Sequence, residues 1–184
     1  MKQITLLVVL VIGMIATAQF IRPPQAVNLV IRGTSNLHDW ESKATQVNVS
    51  GKFDVANGSF RGVEGLVVQV PVKSIKSEKG KTMDGKTYDA LLADAHPNIV
   101  FTATSVAVSG NGITALGNLR IAGKTQPATL KADWKSVSGG IQISGSYALK
   151  MTDFGISPRH FTTYGPLGCH ENGRRYHVGI LLPA

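Results

Sequence analysis

Three groups of residues in this chain have types and spacing that could do chemistry. His38 and Asp39 stand beside Trp40, and a histidine next to a carboxylate is how hydrolases orient an imidazole. His160, Cys169, His170 and His177 offer imidazole and thiolate ligands of the kind that suit zinc or copper. Lys76, Lys79 and Lys81, flanked by Lys73 and Lys86, form a basic run interrupted by Glu78 and Asp84.

Two of the three groups point away from catalysis. No G-x-S-x-G elbow, H-E-x-x-H pair or Gly-rich phosphate loop accompanies His38 and Asp39, so these two are expected to hydrogen-bond a strand end while Trp40 plugs one end of the fold. The four tail residues follow neither the C-x₂₋₄-C nor the H-x₃₋₅-H pattern, and no metal site is assigned to them. No catalytic residue and no cofactor are expected. A metal-dependent or hydrolytic enzyme using His38 or the tail histidines is the first alternative.

The elements that position such groups belong to one domain. The chain has 184 residues, 43% of them hydrophobic and 16% charged, with one Cys, which excludes an intrachain disulfide framework. Lys2, the apolar run from Ile4 to Ile15 and the small-x-small triplet Ala16-Thr17-Ala18 read as a secretory signal peptide over residues 1–18. The run is shorter than the ~20 residues a spanning helix needs. Removing it takes Lys2 away and leaves 18 basic against 11 acidic residues in a domain over 19–184. An exported basic domain suits an anionic membrane surface or an acidic ligand better than nucleic acid, which is not expected as a partner.

From Val27 onward, apolar and polar residues alternate with period two, which predicts strands with one buried face. Val27, Leu29 and Ile31 share a face, as do Val47, Val49, Phe53 and Val55, then Leu66, Val68, Val70 and Val72. Ile99 to Ala103, Ile113 to Ile121, Ala128 to Trp134 and Ile141 to Leu149 continue the pattern. Asn57-Gly58, Gly110-Asn111-Gly112, Gly123-Lys124 and Gly139-Gly140 mark tight reversals, so an antiparallel meander of about eight strands closing into a barrel or a sandwich is expected. The spacing of Met83, Tyr88, Leu91 and Leu92 predicts one short helix over 82–95 across a barrel mouth, ended by Pro97.

Ala103, Ala115, Gly117, Ala128, Ala132 and Gly145 are small at positions where a filled core would use larger residues. They either leave room in the middle or accommodate the large side chains opposite. If room exists, its wall is apolar, and a long-chain lipid fits; Phe53, Val68, Val70, Phe101, Leu119, Leu130, Trp134, Ile143 and Tyr147 are the expected lining. Lys76, Lys79 and Lys81 are the expected contacts for an anionic headgroup or leaflet. A filled-core interaction module is the second alternative.

Several segments taken in order carry a resemblance. They are Thr34 to Glu41, Gly51 to Val55, His96-Pro97-Asn98-Ile99-Val100-Phe101, Gly117 to Thr125 and Met151 to Ile156. Together they resemble the YceI-like family from about Val27 to Ile156. The resemblance implies an all-β, lipocalin-like, up-and-down antiparallel barrel exported to the periplasm, with a polyisoprenoid, isoprenoid quinone or other long-chain lipid in its lumen.

After Ile156 the chain departs from that pattern, and the family's closing strand is not recognisable. Back-translating residues 163–177 with permitted codons and reading one base later gives a segment that begins Pro-Thr-Ala and ends Lys-Thr-Gly-Asp-Asp-Ile-Thr, like the missing one. A frameshift near 157–162 is therefore expected. Tyr176, Val178, Ile180 and Leu182 still alternate and could supply a makeshift strand; without one, two open edges would promote association, such as a homodimer.

Overall fold

The computed structural model describes residues 26–33, 40–138, 140–156 and 174–183. Alternating residues with glycine-bearing reversals between them fold as ten strands. These are β1 (Ala26–Gly33), β2 (Trp40–Ala44), β3 (Asn48–Ala56), β4 (Ser59–Pro71), β5 (Ile75–Ser77), β6 (Asn98–Ser109), β7 (Gly112–Ile121), β8 (Lys124–Val137), β9 (Gly140–Leu149) and β10 (Arg174–Pro183). They form one sheet in the order β3-β4-β6-β7-β8-β9-β10-β1-β2-β5. The predicted meander is present from β6 to β9, where each strand pairs with the next. At Asn57-Gly58 both residues have positive φ, 53° and 71°, as a two-residue hairpin turn requires.

The tail supplies a strand after all. Residues 174–183 pair with β9 along their whole length and with β1 on the other side, so β10 joins the meander to the N-terminal strand. The frameshift reading, made over residues 157–177, lies outside those described up to residue 173, as do the signal peptide and the His38–Asp39 pair.

Two strands depart from simple alternation through bulges, where an extra residue flips the faces beyond it. In β4 the register with β3 shifts twice, between Ser50 and Lys52 and between Asp54 and Val55, so Val63 reaches the interior out of step with Leu66, Val68 and Val70, and the second shift brings Phe60 back into step with them. In β6 the register with β7 shifts between Ala103 and Ser105, and the buried face passes from Phe101 and Ala103 to Val106 and Val108.

The sheet curls so that its flanks share an interior. One buried cluster joins Leu29 and Ile31 of β1 and Ala44 of β2 to Val70 of β4 and Ile75 of β5. A second joins Val49 and Phe53 of β3 and Phe60 of β4 to Ile113 of β7 and Ile141 of β9. A third gathers Phe101, Leu119, Ala128 and Leu149 with Phe154 and Ile156 from the turn after β9. β2 and β3 are separated by only three residues, yet β3 stands at one end of the strand order and β2 next to the other. At the bend between them, the Thr45 N–H donates to the Ser74 carbonyl at 2.9 Å and the Ser74 hydroxyl lies 3.1 Å from the Gln46 carbonyl.

The helix is shorter than its spacing predicted. α1 (Lys81–Ala90) stops because the chain reverses at Leu92, which takes a left-handed φ of 53°. The Leu92 and Ala93 amides donate back to the Asp89 and Tyr88 carbonyls at 3.1 and 2.9 Å, closing the helix five residues before Pro97 is reached. Pro97 has another part: its carbonyl accepts the Val72 N–H at 2.8 Å, tying the start of β6 to the end of β4.

Candidate functional site

The site is built from inward positions of the curled sheet, and all nine side chains expected to line it lie in or against its clusters. Phe101 and Leu119, with Val68, Leu130 and Tyr147 beside them, belong to the third cluster. Phe53, with Trp134 and Ile143, belongs to the second, and Val70 to the first.

Two of the small residues do not leave room. A Cβ on Gly117 would collide with the Thr102 carbonyl and come within 2.8 Å of the Phe101 ring, so Phe101 occupies the space in front of it. On Gly145 a Cβ would lie 2.9 Å from the Ala132 Cβ. At these positions glycine permits close packing of neighbouring strands.

Accessible space is found along another stretch of wall. Inward residues of β7 are covered, with Ile113 7% exposed, Ala115 4%, Leu119 8% and Ile121 4%. On β8 and β9 the inward Leu130, Ala132, Trp134, Ile143 and Tyr147 are only half-buried, as is Val68 on β4. These side chains alternate with exposed Thr129, Lys131, Asp133, Ser144 and Ser146, so their orientation follows from the strands and not from chance. Trp134 is held by its indole N–H, which donates to the Gly110 carbonyl at 3.0 Å. A cleft of about 430 Å³ opens between the start of β8, the end of β9 and the turn after it, and reaches Tyr147, Leu149 and Phe154. A larger groove of about 870 Å³ takes in Asn28, Thr114, Lys131, Asp133, Ser144 and Ser146 together with Val30, Ile113 and Ala132.

The lysines expected to meet a headgroup have unlike settings. The Lys76 ammonium donates to the Tyr88 hydroxyl at 2.6 Å and lies 3.7 Å from Asp84. The bond to Tyr88 holds Lys76 above the ordinary lysine range, against the opposing effect of burial. Lys79 and Lys81 are exposed on either side of Gly80 at the start of α1. Lys73 pairs with Asp94 at 2.8 Å, which holds the lysine up and the carboxylate down.

Sequence reasoning missed the groups that fasten α1 to the sheet. Buried Asp84 accepts the Ser77 N–H at 2.7 Å, and the Tyr88 hydroxyl faces the Lys73 and Ile75 carbonyls at 3.0 and 3.1 Å. An aspartate and a tyrosine four residues apart share a helix face, which was the available signal. Among the described residues no group of three or more His, Cys, Asp or Glu side chains could hold a metal ion. The side chains of His160, Cys169, His170 and His177 lie outside the described residues, and so does that of Trp40.

The family model for the YceI-like domain matches residues 29–168. The chain belongs to the YceI-like family. Among curated relatives, this YceI-like chain is 28% identical over 122 residues to a UPF0312 protein of Yersinia pestis, covering 62% of the chain and 59% of that protein. It is 30% identical over 112 residues to a UPF0312 protein of Pseudomonas aeruginosa, covering 56% of each. The matched stretch thus spans less than two thirds of these relatives. Among solved structures, Burkholderia cenocepacia BcnA superposes with a TM-score of 0.64 at 14% identity, covering 84% of this chain and 94% of that one. The Campylobacter jejuni YCEI protein gives 0.55 at 23%, covering 67% and 74%. A polyisoprenoid binding domain from Saccharophagus degradans, described as implicated in plant cell wall breakdown, gives 0.59 at 10%, covering 88% and 96%. These structural likenesses establish a shared fold.

Proposed function

We propose that this YceI-like protein is a non-enzymatic carrier that binds, stores or transports a long-chain apolar lipid inside its curled sheet. The observation that carries the reading is the half-buried state of inward Leu130, Ala132, Trp134, Ile143, Tyr147 and Val68, between inward Ala128, Ile141 and Leu149 that are covered. Uncovered apolar surface facing an interior is what a hydrocarbon chain would bury, at about 0.8 kcal/mol per CH₂. The printed description of the Saccharophagus degradans domain favours a polyisoprenoid as the chemical class; an isoprenoid quinone or a fatty-acid derivative meets the same wall.

Closure follows from β2 and β3 in this reading. Counted as one bent strand, they pair with β1 through the first half and with β4 through the second, giving an eight-stranded barrel with β5 as an appendage. α1 lies where β4 ends and β6 begins, with Leu91 touching two clusters, and there it would cap or gate the mouth. Lys76, Lys79 and Lys81 would meet an anionic headgroup or leaflet. The leader over residues 1–18 would send the protein to the periplasm or beyond. No helix among the described residues is long and apolar enough to cross a membrane.

A filled-core interaction module is the second reading, favoured by the Phe101 ring packed in front of Gly117. Organic extraction of gently purified protein followed by mass spectrometry separates the two. The carrier yields a hydrocarbon-tailed lipid in roughly molar amount; lipid-free extracts from cells that make isoprenoids would leave the filled module.

A further inference from the structure

Two hairpin turns carry the same dipeptide and hold it differently. Asn57-Gly58 joins β3 to β4, and Asn111-Gly112 stands between β6 and β7; Asn172-Gly173 lies outside the described residues. In the first turn both residues are loop positions with positive φ, 53° and 71°, between the closing pair Ala56 and Ser59. In the second, Gly110 supplies the positive φ, 57°, and the dipeptide falls one place later. Asn111 is the last loop residue there, and Gly112 already pairs with Ser109. The Asn111–Gly112 peptide is therefore gripped twice. Its N–H belongs to the ladder that closes on Ser109, and its carbonyl accepts the Trp134 N–H at 2.9 Å. Among the described residues the Asn57–Gly58 peptide has neither bond, and both of its residues are exposed.

We propose that Asn57 is a site of spontaneous deamidation and that the fold protects Asn111 from the same reaction. The Gly58 backbone nitrogen, once its proton is lost to base, attacks the Asn57 side-chain carbonyl carbon. The N–Cγ bond forms, the Cγ–Nδ2 bond breaks, and Nδ2 takes up a proton and leaves as ammonia. Water then opens the cyclic imide with no change in oxidation state. Attack at Cγ gives aspartate; attack at the backbone carbonyl carbon gives isoaspartate, with the main chain rerouted through Cγ. Glycine in the second place presents no Cβ to hinder the first step. The nitrogen reaches Cγ only by rotation about the asparagine Cα–C bond, which turns the whole peptide plane. At Asn57 that rotation breaks no hydrogen bond, whereas at Asn111 it breaks two. Either product places a carboxylate in the turn, and isoaspartate also adds a carbon to the main chain of a two-residue loop. Val55 pairs with Phe60 beside that loop, and Phe60 is 3% exposed in the second cluster, so the longer chain loosens buried packing. This chemistry is independent of what the interior holds.

The test incubates the full chain in mildly alkaline buffer, folded and in urea, and follows the peptides bearing Asn57 and Asn111 by proteolysis and mass spectrometry. In the folded chain Asn57 should be lost about 10-fold or more faster than Asn111, because two hydrogen bonds protect the second site. In urea the two rates should converge. Equal loss at both sites in the folded chain would overturn the assignment, as would an Asn57 that survives folded and reacts only in urea. A rate ratio that urea leaves unchanged would overturn the protection of Asn111 by the fold. Asn57→Gly keeps a residue suited to the left-handed position and removes the reactive amide. Aged wild type should lose thermal midpoint relative to aged Asn57→Gly, and an equal decline in both would contradict the loosening of the turn.

Discussion

The β7 wall and the β8–β9 wall are neighbours in one sheet, show the same alternation and face the same interior, yet β8 and β9 cover only Ala128, Ile141 and Leu149 and leave the inward side chains between them half-buried. On β7, Ile113, Ala115, Leu119 and Ile121 are packed from both flanks by Phe101, Phe53 and the turn bearing Phe154. On β8 and β9, Leu130, Ala132, Ile143 and Tyr147 pack against the same clusters but stay half-buried. The difference teaches that period-two patterning determines which way a side chain points, whereas covering depends on what the rest of the sheet brings to meet it. One wall holds the fold together, and in the carrier reading the other is left for a guest.

Substitutions sharpen that contrast. Leu119→Ala should cost about 2–5 kcal/mol of unfolding free energy, read by denaturant titration, because it opens a hole in a packed wall. Gly117→Ala should cost about 1–3 kcal/mol by forcing the strand away from Thr102 and Phe101. Leu130→Ala should cost only about 1 kcal/mol, since a half-exposed side chain loses less apolar burial, while lowering lipid occupancy. Equal losses at Leu119 and Leu130 would erase the distinction between the walls.

Surface charge should matter less. Replacing Lys79 and Lys81 by Glu should weaken association with anionic vesicles in flotation assays, more at low salt than at physiological salt, without moving the thermal midpoint. The smallest effect is the pH response of the Lys73–Asp94 link. Asp94 is held below its ordinary 3.8, so its contribution is present above that value and disappears as pH falls through the lowered one. Lys73 is held above its ordinary 10.5, so its contribution is complete below that value and disappears as pH rises through the raised one. The difference in thermal midpoint between wild type and Lys73→Ala should therefore be small and flat between these limits.

Much of the fold was legible because Val49 to Val55, Ile113 to Ile121 and Ile141 to Leu149 alternate without interruption. The first half of β4 was not, since two bulges let Val63 point inward out of step with Val68 before Phe60 returns to step. β5 has three residues, too few for any period, and β2 is short and joined to β3 by a bend fixed through Ser74, a tertiary contact no local pattern announces. The expected lining residues were readable as an apolar face; which of them were covered was not, because Gly117 looks like empty space until the Phe101 ring is seen against it. The tail raised a different difficulty: β10 pairs through backbone groups, which tolerate side chains of many kinds. Resequencing the coding DNA from independent isolates should show one base gained or lost near codons 157–162, and an intact shared frame would contradict it.

The most direct test is native mass spectrometry of the intact protein beside Ala132→Phe, a substitution that fills the uncovered wall from its middle. A carrier predicts one hydrocarbon-tailed adduct per wild-type chain and a folded variant from which that adduct is missing. A bare mass for both proteins, persisting after incubation with isoprenoid lipid, would contradict it.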